Sequence, residues 1–365
     1  MFLMLSFDQA AALYAKDDLS RLAADRDGLR FLLGKTLIRK EYAADLARVS
    51  GVDTEKLGIR AWERELFQSG TSASELKSLI DTKYTLERAT RLAKQDSLVA
   101  ELYKMRSFDW GGLHQNSLEK TIVDNYVKKI ADFDNLNEEI DSKLTQSLRG
   151  YVQCSWYNHW TSIIIEDLFK DHDLVTPALG LIKKIDFFIK DIPFDLKVTY
   201  IPEGFIKELR REAGHRPETT VLKQVARKFS LSYDRTLSSA RLLEVLWETC
   251  ADAPHPEAKD TVTSLEDFRK EVAAGVRENP ARLIRWLYEN QGVRRFDASN
   301  RLFLVLTKKS NFFESWKLKR AAPSLKVHID SYLDSFDTSE SIHSLDFDWE
   351  GSTYEATAGL ILVDE

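Results

Sequence analysis

The stretch KKIDFFIKDIPFDLKVTY, residues 183–200, constrains the chain more than any other. As a strand, FDLKVTY puts Asp195, Lys197 and Thr199 on one face and Phe194, Leu196, Val198 and Tyr200 on the other. The preceding apolar run, with Ile185, Phe187, Phe188 and Ile189, carries Asp186. A hairpin around Lys190 to Pro193 brings Asp186 opposite or diagonal to Asp195. Charges in so apolar an element are costly unless compensated. Two carboxylates held together resist full ionisation until a cation neutralises them. Mg²⁺ does this with oxygen ligands and keeps positions for water and phosphate oxygens. Lys197 then has a place as the group that orients or deprotonates a water and balances charge developing on phosphorus. The plain alternative is a solvated salt-bridge face, and each of these residues taken singly is more often structural.

The pattern hhD…hhDxK, preceded by a helix with a glutamate in WTSIIIEDLFKDH, resembles the PD-(D/E)XK nuclease superfamily, the core of many type II restriction endonucleases. Asp186 matches the first acid, Asp195 and Lys197 the DxK, and Glu166 the helix glutamate; Ile185 stands where the family name has proline. Asp167 adjoins Glu166, so either is eligible as the helix acid, and the motif favours Glu166. The resemblance implies a mixed α/β (α+β) fold, a restriction-endonuclease-like core sheet flanked by helices. It implies Mg²⁺ held by Asp186, Asp195 and the Leu196 carbonyl, Lys197 serving the water, and Glu166 assisting or holding a second ion. The expected activity is hydrolysis of double-stranded DNA to 5′-phosphate ends, in a restriction enzyme first. A transposon-end, repair or phage-defence nuclease shares that core, and a non-catalytic DNA-binding or interaction module is the remaining alternative. Cutting both strands calls for two active sites, hence an expected homodimer.

The resemblance spans residues 155–210, with RLFLVL (301–306) and the helix after it completing the core. Residues 1–150 read as a helical region for DNA recognition or dimerisation, and residues 151–365 as the core with a helical insert at 214–285. FDWGGLHQN (108–116) reads as a break and ADAPHPEAKD (251–260) as a surface loop. NPARLIRWLYENQG reads as a helix bounded by Pro280 and Gly292. Trp156 and Trp160 are expected to pack around the site, while His159 and His172 read as structural ahead of any part at the site.

The net charge of −6 argues against coating nucleic acid by overall attraction. The distribution is uneven: residues 327–365 carry ten acids and no Lys or Arg, and residues 290–326 carry nine bases against two acids. Phosphate contacts are expected from Lys207, Arg210, Arg211 and Arg216, which follow the DxK strand, and secondarily from WKLKRAAPSLK. No GxxxxGK[ST], GxGxxG, GxSxG or HExxH occurs, against P-loop, dinucleotide, serine-hydrolase and zinc-protease chemistry. Two cysteines are too few for a disulfide framework, and MFLMLSF is a poor signal peptide, so a cytoplasmic setting without membrane attachment is expected.

Overall fold

The computed structural model describes residues 5–113, 118–180, 182, 184–235, 237, 239–290, 300–349 and 352–365. The N-terminal part is helical: α1 (Phe7–Ala15), α2 (Leu19–Ala24), α3 (Arg26–Thr36), α4 (Ala43–Ser50), α5 (Ile59–Gln68) and the long α6 (Ala73–Leu102). Short helices α7 (Leu118–Ile122) and α8 (Phe133–Glu139) lead into α9 (Thr145–Lys170). The break at 108–113 is real, and the end of FDWGGLHQN lies outside the described residues. Helix α9 runs straight through Gly150, so the division at 150/151 falls inside a helix. Glycine is needed there because a Cβ would lie 2.5 Å from the Asp109 carbonyl oxygen.

Three strands follow, β1 (Val175–Pro177), β2 (Phe187–Ile189) and β3 (Ile192–Tyr200). The helical insert is α10 (Glu203–Glu212), α11 (Glu218–Lys228), α12 (Ser239–Ala251), α13 (Pro256–Glu278) and α14 (Pro280–Asn290). The chain closes with β4 (Asn300–Thr307), α15 (Ala322–Asp334), α16 (Thr338–Ser341), β5 (His343–Trp349) and β6 (Ser352–Asp364). The stretch ADAPHPEAKD is thus a loop only in part. Pro256 opens the 23-residue helix α13, the first-turn position where a missing N–H costs nothing. The Gly292 cap lies outside the described residues.

The six strands form one mixed sheet in the order β1-β2-β3-β4-β6-β5. The β1–β2, β2–β3 and β5–β6 pairs are antiparallel, and β3–β4 and β4–β6 are parallel. The run RLFLVL is therefore central, flanked by parallel neighbours and buried on both faces. Phe194, Leu196, Leu302 and Leu304 pack on one sheet face with Ile165, Leu168 and Phe169 of α9 and Leu325 and Ile329 of α15. Phe303 and Val305 face the other side, against Phe205, Leu283, Leu287 and Tyr288.

The insert has its own core from α11, α12 and α13, centred on Leu222, Leu246 and Cys250. The N-terminal helices form another core, which Ala178, Ile182, Ile185 and Phe188 enter. A buried ion network clamps α6 to α9. Arg91 donates from Nε and Nη2 to Asp167 at 2.8 and 2.7 Å, and Arg88 and Tyr84 bond Asp171. Breaking a buried pair strands a charge, which costs about 3 kcal/mol or more. Asp167→Ala is expected to lower the unfolding free energy by about that amount, read as a lower urea midpoint with an unchanged slope.

Candidate active site

A two-residue turn places the carboxylates. Lys190 and Asp191 both have positive φ (47° and 72°), the geometry that matches the twist of a tight hairpin. The register is then Phe187↔Phe194, Phe188↔Pro193 and Ile189↔Ile192. Phe187 and Phe194 share the α9-facing core, so the next step outward, Asp186 and Asp195, lies on the opposite face of the sheet, the two together. Here β2 peels away. The Asp186 N–H donates to the Phe194 carbonyl, and its side-chain Oδ2 accepts from the Leu196 N–H at 2.7 Å. In extended chain a residue's C=O projects to the same side as its N–H, so the Leu196 carbonyl lies on that same edge of β3.

The alternation expected along β3 holds. Phe194 and Leu196 are buried, while Asp195 is half-buried and Lys197 exposed. Lys197 Nζ donates to Asp195 Oδ1 at 2.6 Å, and Arg301 Nε lies 3.9 Å from Asp195 Oδ2. Arg301 is paired in register with Asp195 across the parallel ladder and lies over the Tyr288 ring. Glu166 takes Lys170, one helical turn on, at 2.8 Å. Asp186 has no ion-pair partner among the described residues, and its compensation is one backbone N–H.

Burial, followed by the negative charge of Glu166, pushes the Asp186 carboxyl up to about 6; the Leu196 N–H and Lys197 pull the other way. Glu166 and Asp195 both lie near enough to Asp186 for their charge to raise its carboxyl. Asp167 is ill placed to act as the helix acid, because it is buried and paired with Arg88 and Arg91 of α6. The described residues contain no cluster of three or more His, Cys, Asp or Glu side chains already close enough to ligate one ion. The two aspartates with the Leu196 carbonyl nevertheless form an all-oxygen set suited to a hard cation, the third oxygen coming from backbone.

Other expected contacts are redistributed. Lys207, Arg211 and Arg216 are exposed, but Arg210 is buried, donates from Nε to the Arg216 carbonyl and lies over Phe268, so it is unavailable to phosphate. Lys319 and Arg320 are buried as well, Lys319 on Asn158 and Arg320 on the carbonyls of Leu102 and Met105. Trp156 is exposed and does not pack in the core. His172 is structural, accepting from the Leu174 N–H and contacting Asp334. Two site residues went unassigned in the sequence. Lys170 was available from its i,i+4 spacing to Glu166, whereas Arg301 carried no local signal. No family model, curated protein or solved structure matches the chain.

The raised Asp186 carboxyl fixes a sign. Its native pKa lies above the unfolded value, so the native state is favoured by this group below about pH 4 and loses that advantage as pH rises through about 6. Asp186→Asn keeps an acceptor for the Leu196 N–H and removes the buried charge. At pH 8 without divalent ions it is expected to be more stable than the parent by about 2 kcal/mol, allowing for partial exposure, with the gain vanishing near pH 4. Urea midpoints at the two pH values measure this, and a destabilised variant at pH 8 contradicts it.

Proposed function

We propose that the protein is a Mg²⁺-dependent endonuclease of double-stranded DNA, a restriction-type enzyme of the PD-(D/E)XK kind leaving 5′-phosphate ends. The observation that supports this most is the shared face of Asp186, Asp195 and Lys197 at the point where β2 leaves β3, with Asp186 held uncompensated. A stabilising salt-bridge face pairs its charges, whereas this one leaves an acid in want of a cation. The sheet supports the same reading, since β4 adjoins β3 in parallel and α15 follows it.

The residues divide the chemistry. Asp186, Asp195 and the Leu196 carbonyl would hold Mg²⁺, which would neutralise charge and polarise a phosphate oxygen. Lys197, released from Asp195, orients the attacking water and offsets charge on the pentavalent phosphorus. Glu166, on the neighbouring helix, accepts from that water or from the hydration shell. Arg301 holds Oδ2 of Asp195 from the far side, so the carboxylate keeps its direction when Lys197 moves. Lys207, Arg211 and Arg216 supply phosphate contacts on the approach, and a homodimer provides one centre per strand.

The test incubates the purified protein with long duplex DNA in Mg²⁺, in Ca²⁺ and in EDTA. Discrete fragments in Mg²⁺ alone are expected, with Asp195→Ala and Lys197→Ala each reducing the rate at least about 100-fold while folding normally. No cleavage of any duplex by the unmutated protein overturns the proposal.

A further inference from the structure

A cavity lies beyond the carboxylates, at the C-terminal ends of β3 and β4. It has a volume of about 770 Å³ and is walled by the segment 106–112, helix α12 and residues 312–317 of the 3₁₀ helix Phe312–Arg320. Thr199 lines it. That residue is two positions along β3 from Lys197 on the same face, about 7 Å away at strand rise. The cavity therefore adjoins the proposed catalytic point, and the carboxyl ends of parallel strands are where open α/β sheets take ligands.

Its lining is aromatic and of mixed charge. Trp110, Trp316 and Phe313 contribute rings, and five carboxylates face four bases. Most charges are already spent: Arg241 on Glu244, Arg269 on Glu203, and Lys317 on Glu314. Asp109 and Glu248, both in the lining, have no ion pair among the described residues, although Asp109 Oδ1 accepts from the Gly111 N–H at 2.8 Å. Tyr200, whose buried hydroxyl has no hydrogen-bond partner among the described residues, belongs to the wall. Such a lining repels a phosphate group, and a duplex is too broad to enter. A single planar ring bearing exocyclic amines suits it, by stacking on Trp110 and donating to Glu248 and to the Asp109 carboxylate.

We infer that this cavity receives one unstacked nucleobase of the DNA, next to the scissile phosphate, with Arg106 at its mouth for the adjoining backbone. The inference rests on the nuclease reading and adds to it a means of choosing the target, since extruding a base costs least where pairing is weakest.

Cleavage by the unmutated protein is scored first; if no DNA is cut, the nuclease reading fails and the base pocket falls with it. Given cleavage, labelled duplexes of the cut sequence are made with a mismatch at each position in turn. Binding to the Lys197→Ala protein is followed by fluorescence anisotropy. One mismatch position is expected to tighten binding about tenfold, because the extrusion cost is already met. Trp110→Ala and Glu248→Ala, each combined with Lys197→Ala, are expected to erase that gain while leaving binding of the fully paired duplex within about threefold; Trp110→Phe keeps the gain, as a stacking ring remains. Mismatches that nowhere tighten binding, or a gain that survives both substitutions, overturn the inference.

Discussion

The register of one short hairpin governs the rest. A slip of a single residue between β2 and β3 would turn Asp186 to the hydrophobic face and take it from Asp195. The turn that fixes the register is not made from the residues that form it most easily, since Lys190 and Asp191 both adopt positive φ without glycine. Contacts outside the hairpin offset that strain. Lys190 Nζ donates to the Phe336 carbonyl beyond α15, and Asp191 pairs with Lys77 of α6. Two otherwise separate parts of the chain thus hold the turn, and through it the spacing of the carboxylates.

The three acids at this point are treated differently by their surroundings. Glu166 has Lys170, and Asp195 has Lys197 and Arg301, while Asp186 has a backbone N–H and apolar neighbours. Pairing all three would make a stable, inert patch. Leaving one with a single backbone N–H raises its carboxyl pKa and costs stability once it ionises. Lys197 is exposed and its ammonium pairs with Asp195.

Much of this was legible in the sequence because it is local. Period-2 alternation in FDLKVTY, the apolar run before it and the four-residue polar step define a hairpin without reference to the rest of the chain. Strand RLFLVL was legible from its unbroken apolar run. Strand β1 was not, because three residues carry too little pattern, and α13 was hidden by the proline that starts it. Arg301 was beyond reach for a different reason: its place beside Asp195 depends on a parallel register between strands about a hundred residues apart. Arg210 could have been demoted, since it lies four residues after Ile206 on the buried face of α10.

The adjacent acids of α9 show how the helical N-terminal part enters the site. Neighbouring helical residues point about 100° apart, so anchoring one aims the other. Asp167 is locked between Arg88 and Arg91, and Glu166, about 100° round the helix, pairs with Lys170. Ile185 and Phe188, which flank Asp186 and Phe187, are buried in the N-terminal core. Helix α6 therefore sets the rotation of α9 and, through Lys77, the hairpin turn, and its neighbours seat the residue before the first motif acid. Packing of this kind makes the first hundred residues a framework for the carboxylates, because the acids keep their geometry only while that core is intact.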